Sequence, residues 1–429
     1  MPRIGVLART VAVAVAAMLA LSLGAVFGGS TGGFGSTASA SAPASTTPPT
    51  TALGQNPAAG PFYQPPNPLP KGKPGTIIRS QPLTNAPAGS RGWRILYHST
   101  GLKGEDIAVS GMVFTPSSTA KSKVKARPIV SWAHPTTGVA DTCAPSVLPN
   151  GPSLVAGLDA FLQAGFVVAA TDYQGLGTPG VHPYLVGVSE GRSTLDAARA
   201  ARNLKGAGAG ATLFTWGHSQ GGQASLFAGE LAKSYAPELD VKGSAAAAPA
   251  GDLAAVFDLD LNTVDGVVLG GWAMNAYEDI YKSDHPNMQI DQMLTANGIA
   301  ALPKMVTLCD VIDEQFAQLA TLALPLVGSF YSTTDPAASP PWGELLKQNS
   351  PGGVKSDVPV FIAQDTGDQV VPASTTNTLV QHMCSIGDTL DYASYPGLSH
   401  DVIGVVSAPA ALAWMQAILA GQKAPTTCR

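Results

Sequence analysis

The spacing of apolar and polar residues changes character along the chain. Three early segments, 76–83, 93–99 and 107–115, are rich in β-branched and aromatic residues and lie close together, separated by turns containing Gly and Pro. Short strands joined this way predict antiparallel pairing at one edge of a sheet. Beyond them the apolar residues come as continuous runs: 128–133, 166–171, 211–216, 243–248, 358–363 and 390–395. Strands buried on both faces look like this, and helical stretches between them predict right-handed βαβ units. The intervening helices are predicted over 189–204, where Leu195, Ala198 and Arg202 keep helical spacing, over 223–233 and 377–384, and as a final amphipathic helix over 409–419. The fold class is therefore α/β, with a mostly parallel sheet flanked by helices.

The alternation stops between about 253 and 355. That stretch has no clear strand and holds candidate helices at 291–297 and 308–323. It is too long for a loop and reads as a helical cap or lid inserted over the C-terminal edge of the sheet. The core is then expected in two pieces, 61–252 and 356–429, with the cap at 253–355.

The N-terminus adds an address. Arg3 and Arg9 precede an apolar stretch over 10–27, and small residues follow up to Ala38-Ser39-Ala40 and Ala40-Ser41-Ala42. This is the layout of a signal peptide, assigned to residues 1–42; an uncleaved membrane tether is the alternative reading. Residues 43–60 are rich in Ser, Thr, Pro and Ala and predict a disordered leader. An exported chain with four cysteines, Cys143, Cys309, Cys384 and Cys428, predicts two disulfides, and spacing alone leaves three pairings open.

Charge excludes some partners. The chain carries a formal −5 and only 12% charged residues. Its nearest basic cluster, Lys121, Lys123, Lys125 and Arg127, reads as a solvated loop before a strand, so nucleic acid is not expected. No C-x-x-C, H-E-x-x-H or Cys/His cluster is present, so neither a metal nor another cofactor is expected, and nothing marks a protein partner.

One motif brings chemistry. Gly217-His218-Ser219-Gln220-Gly221 matches G-x-S-x-G, lying between a strand-like and a helix-like segment. That is the context of the nucleophile elbow, where a strained turn lifts the serine hydroxyl above the sheet and small residues must flank it. A serine needs a base, and the base an orienting carboxylate, in the chain order Ser, acid, His. After the 358–363 run come Asp365 and Asp368; Asp368 is preferred because Gly367 permits the turn and Val370-Val371-Pro372 pack the loop down. After the 390–395 run comes His400, the preferred base, whereas His382 falls within a helix. His218 is expected to point away from the nucleophile. The tetrahedral intermediate needs two N–H donors. Gln220 supplies the first, and the loop after the 128–133 run the second. Pro135 cannot donate there, which leaves Thr136 or Thr137.

The match extends beyond the elbow. Segments 130–146 with Cys143-Ala144-Pro145-Ser146, 169–177 (AATDYQGLG), 182–192 (HPYLVGVSEGR), 216–222, 245–253, 368–372 and 395–400 resemble the secretory lipase family of fungi and actinobacteria, the Candida lipase A type. The resemblance spans roughly 75–428. It implies the α/β-hydrolase fold, a triad at Ser219, Asp368 and His400, a helical cap with a lid over an acyl tunnel, and disulfides Cys143–Cys309 and Cys384–Cys428. It also implies lipase or esterase activity on acylglycerols and similar esters.

The expected function is thus a secreted serine ester hydrolase acting on a lipid or small ester, at a lipid–water interface if it is a lipase. Apolar Leu302, Val306, Leu319, Leu322, Leu324, Leu326 and Val327 suit either a lid and acyl tunnel or the cap's own core. A peptidase on the same fold and a non-catalytic lipid-binding protein are the rival readings.

Overall fold

The computed structural model describes residues 59–117 and 126–429. The signal peptide, nearly all of the leader, and Lys121, Lys123 and Lys125 lie outside these residues.

Nine strands form one sheet among the described residues: β1 (Ile77–Leu83), β2 (Ser90–Thr100), β3 (Asp106–Pro116), β4 (Arg127–Ala133), β5 (Val167–Thr171), β6 (Ala209–His218), β7 (Asp240–Ala247), β8 (Val360–Asp365) and β9 (Leu390–Tyr395). Their spatial order is β1-β2-β3-β5-β4-β6-β7-β8-β9. The first three pair antiparallel, β3 joins β5 antiparallel, and every pair from β5 to β9 is parallel. The α/β-hydrolase class follows from this topology.

The central strands are apolar on both faces because both faces are covered. Alternation sends Val130, Trp132, Phe214, Trp216, Ala245 and Phe361 to one side. There α1 (Leu158–Gln163) and α10 (His400–Leu419) meet them through Phe161, Ile403, Trp414 and Met415. Ile129 and Leu213 point to the opposite side, against α2 (Gly187–Asn203) and α3 (Gln220–Tyr235). On that same side α9 (Ala373–Ser385) packs Leu379 and Met383 onto Val360 and Ile362.

Between β7 and β8 run α4 (Leu253–Asp260), α5 (Val264–Tyr281), α6 (Ala296–Met305), α7 (Asp313–Ala323) and α8 (Trp342–Gln348). They share a separate apolar cluster around Trp272, Tyr277, Met305, Phe330 and Trp342. Their boundaries correct the sequence reading. Residues 290–292 form only a 3₁₀ turn, and α6 starts where the Thr295 hydroxyl caps the amide of Gly298 at 3.3 Å. Helix α7 starts at Asp313 rather than 308, because Cys309 is held in a disulfide and its amide donates to Gln315 Oε1 at 2.7 Å.

The last helix is also longer than the pattern predicts. Pro409 reads as a helix start, yet it lies inside α10, which begins at His400. The carbonyl that Pro409 leaves without a donor is that of Val405, a residue 62% exposed, so water can serve it. Packing of Ile403, Ser407 and Ala408 holds the first half of the helix in place.

Two disulfides close the chain: Cys143–Cys309 ties the loop after β4 to the helical insertion, and Cys384–Cys428 ties α9 to the C-terminal segment.

Candidate active site

Strand β6 ends in a sharp turn into α3. Ser219 takes φ 57° and ψ −121°, a conformation costly for any residue with a side chain. The elbow leaves no room beside it. A Cβ on Gly217 would stand 1.9 Å from Gly221 O, and one on Gly221 would stand 2.0 Å from Ala133 O. Both positions therefore require glycine. Ser219 N donates to Ala247 O at 2.9 Å and Ala250 N donates to Ser219 O at 3.2 Å, which lock the turn to the end of β7. Gln220 opens α3, so its amide belongs to the first turn and has no intrahelical acceptor. The positive end of α3 thus faces the space in front of Ser219.

Two further strand ends converge there. Asp368 lies in the loop after β8, and His400 is the first residue of α10, after β9. His400 Nε2 stands 2.8 Å from Ser219 Oγ, and His400 Nδ1 stands 2.8 Å from Asp368 Oδ2. All three residues are buried, with exposures of 8%, 8% and 3% for Ser219, His400 and Asp368. Burial alone would raise the Asp368 carboxyl. The His400 hydrogen bond and charge, with the amides of Val371 and Val370 on Oδ1 at 2.8 and 2.9 Å, reverse that and hold it below the usual carboxylate range. Gln364 Nε2 donates to Asp368 Oδ2 at 3.1 Å. Asp365 does something else: it accepts from the amides of Gly367 and Leu398, both at 3.0 Å, and pins the two loops together.

His218 departs from the sequence reading. Its ring centroid lies 4.8 Å from that of His400, under Gly404 of α10. His218 keeps the alternation of β6: like Phe214 and Trp216 it points to the side covered by α10, and because α10 begins at His400 the two rings meet. Burial, then the neighbouring His400 charge, lowers His218 to about 3, so it sits as a neutral ring.

The loop after β4 brings the two threonines into different settings. The Thr136 hydroxyl lies 2.8 Å from Tyr184 OH. Thr137 is buried, with no partner for its hydroxyl, and its carbonyl accepts from Asp310 N at 3.3 Å. Neither threonine is among the residues lining the cleft at Ser219.

Sequence reasoning missed the group behind Gln220. Gln220 Nε2 donates to Glu190 Oε1 at 2.8 Å and lies 3.1 Å from His182 Nε2. Glu190 also takes the Leu185 amide at 2.9 Å. Burial raises Glu190 to about 8, and these hydrogen bonds only partly oppose it. The segment 182–192 carries a family resemblance, but nothing in its spacing predicts that Glu190 reaches Gln220.

The cleft in front of Ser219 is partly open to solvent. Its walls are Leu253, Val256 and Phe257 from α4, Leu269 and Ala273 from α5, and Val370 and Val371 beside Asp368. The apolar residues singled out in the sequence are elsewhere: Leu302, Val306, Leu319 and Leu326 are buried in the insertion's own cluster, Leu322 packs half-buried against it, and Leu324 and Val327 are exposed.

Residues 155–426 match the family model described as secretory lipase. The chain belongs to the secretory lipase family. As a member of a lipase family it is a carboxylic ester hydrolase. It is 27% identical over 393 residues to the "Secreted triacylglycerol lipase LIP7" of Malassezia globosa, covering 86% of this chain and 80% of that one. It is likewise 27% identical over 393 residues to the "Trichothecene C-3 esterase" of Fusarium sporotrichioides, covering 85% and 84%. Among solved structures, the closed state of Candida antarctica lipase A shares the fold, with TM-score 0.69 and 23% identity over 88% of this chain and 89% of that one.

Proposed function

We propose that this secretory lipase is exported and cleaves lipid esters through an acyl-enzyme on Ser219. The observation that carries the reading is the unbroken chain of contacts from Ser219 Oγ through His400 to Asp368, both links 2.8 Å. His400 takes the Ser219 proton as Oγ attacks the carbonyl carbon, and Asp368 orients and stabilises the imidazolium. The oxyanion lies against the Gln220 amide, with a second N–H from Thr136 or Thr137 of the loop after β4. His400 returns its proton to the leaving alcohol, then draws one from water, which releases the acid and restores Ser219.

The apolar walls from α4 and α5 make the helical insertion a cap over the acyl site, and an aliphatic acyl chain is the group that fits them. The cap also exposes Phe316 and Leu324, 46% and 53% accessible, a surface suited to a lipid aggregate. Export rests on the Arg3 and Arg9 n-region with its apolar stretch, and agrees with the secreted relative.

The test is hydrolysis of p-nitrophenyl esters from acetate to palmitate by the wild type and by Ser219→Ala. Turnover by the wild type alone is expected. Equal turnover by both, or by neither, overturns the assignment. A rise in rate above the solubility limit of a triglyceride marks a lipase, and its absence marks an esterase.

A further inference from the structure

The cleft beside Ser219 carries two carboxyl groups that the ester chemistry does not use. Asp260 closes α4 and Asp265 lies in the first turn of α5, and both line the cleft. Asp260 is only 6% exposed. Neither carboxyl has a hydrogen bond or ion pair to a described residue.

A structural role does not explain Asp260. An acid at a helix C-terminus stands at the wrong end of the macrodipole. The turn to α5 is held by its backbone instead: the amide and hydroxyl of Thr263 both donate to Asp260 O at 2.9 Å. The N-cap of α5 is Thr263, whose hydroxyl accepts from Gly266 N at 2.9 Å; Asp265, in the first turn, complements the macrodipole but is not the cap.

No described residue donates a hydrogen bond to either carboxyl. The nearby walls are Val256, Phe257 and Leu269. The two tyrosine hydroxyls of the cleft are engaged, Tyr331 with Gly266 O at 2.6 Å and Tyr184 with Thr136 at 2.8 Å. Burial, then the charge of Asp265, raises the Asp260 carboxyl to about 7; His400 favours its ionised form and Asp368 opposes it. Burial raises Asp265 as well, with His400 opposing and Asp401 and Asp368 adding to it. The two carboxyls open onto a largely apolar cleft without a protein donor, and a ligand that donates to them gains a charge-assisted hydrogen bond there.

We propose that Asp260 and Asp265 recognise a hydrogen-bond donor on the substrate, a hydroxyl or protonated amine carried on the ester some atoms from the scissile carbonyl. The preferred substrate is then an ester with a polar-tipped chain rather than a plain alkyl one. This rests on the reading of Ser219 as the nucleophile.

Two measurements test it. The first is kcat/KM of the full-length enzyme for p-nitrophenyl octanoate, 8-hydroxyoctanoate and 8-aminooctanoate. At least one donor-bearing ester is expected to exceed the octanoate tenfold or more, and the hydroxyl and amine arms show which donor is meant. Asp260→Asn/Asp265→Asn, with each single variant and thermal unfolding to verify folding, should remove that preference through KM. The second is binding of octylammonium, 1-octanol and donor-free 1-methoxyheptane to Ser219→Ala protein. A donor ligand should bind at least tenfold tighter than the ether, and the double Asn change should erase the gap. Octanoate preferred by the wild type, equal binding of all three ligands, or ratios unchanged by the Asn variants would overturn the proposal. Absent hydrolysis with the binding pattern intact would instead count against Ser219 alone.

Discussion

The sheet and the helical insertion are built on different physics, and the site draws on both. At the sheet, Ser219, Asp368 and His400 sit at or just beyond the ends of parallel strands whose registers fix one another. The insertion contributes no strand to the sheet; its helices pack on each other around Trp272 and Phe330 and lend α4 and α5 to the cleft wall. On the proposed reading the strand ends hold the groups that make and break bonds, and the packed helices hold the groups that touch the rest of the substrate. Changes at the strand ends should therefore abolish turnover, and changes in the insertion should redirect it.

The largest effect separates the two regions most sharply. Ser219→Ala should lower ester turnover by about 10⁶-fold with the melting temperature unchanged, since removing a nucleophile disables the whole constellation. Steady-state rates beside a thermal melt check this, and substantial residual turnover would move the nucleophile elsewhere. Next, Asp368→Asn should cost about 10⁴-fold in kcat by upsetting the orientation and tautomer of His400. Asp365→Asn should instead cost about 1–3 kcal/mol of stability, because it replaces one oxygen of a fully buried carboxyl whose two oxygens each accept a loop amide. Similar kcat losses in both variants would blur the distinction between the two acids.

The tie between the regions can be cut. Cys143 and Cys309 are 166 residues apart, so replacing both with Ala should remove about 5 kcal/mol of stability on loop-entropy grounds. The 44-residue separation of Cys384 and Cys428 predicts a loss about 1 kcal/mol smaller for that pair. Denaturant unfolding ranks the two. A smaller effect comes from the cleft wall. Phe257 lies against Tyr331 with ring centroids 5.6 Å apart, and Phe257→Ala should shift the chain-length optimum by up to about tenfold in kcat/KM while leaving acetate hydrolysis near wild type. A uniform fall across all chain lengths would deny α4 a part in selection.

The smallest effect concerns pH. Burial raises Glu190 and Asp310 to about 8, so above their unfolded pKa the folded chain holds protons that the unfolded chain has released. Stability should fall as pH rises from 6.5 to 8. Below 6.5 the buried His134 and His182, lowered to about 4 and about 3, act with the opposite sign. Glu190→Gln should lessen the upper slope in melts taken across that window, with Asp310 and, in its lower part, Asp141, Glu230 and Asp260, each raised to about 7, keeping the remainder.

Much of this was legible beforehand where the signal is local. Apolar runs marked β4 to β8 because strands covered on both faces admit few polar side chains; β9, at the sheet edge, is only half-buried. Gly217 and Gly221 marked the elbow because the turn excludes a Cβ on either side. The insertion was legible only as helical, with α6 and α7 misplaced by several residues and α10 cut short at Pro409. Their ends depend on a cap at Thr295, a disulfide at Cys309 and packing under Ile403, none of which periodicity records.

The sequence by itself determined the order of strands and helices, the sharp turn at Ser219, and the supply of an acid and a histidine downstream. These depend on residue size, polarity and spacing, which act between neighbours in the chain. Only the tertiary structure decided that Asp368 and not Asp365 meets His400, that His218 lies against that ring, that Glu190 stands behind Gln220, and that Asp260 and Asp265 face the cleft. Each of these is a meeting of side chains that the chain path brings together from separate elements, and sheet register and helix packing set their distances.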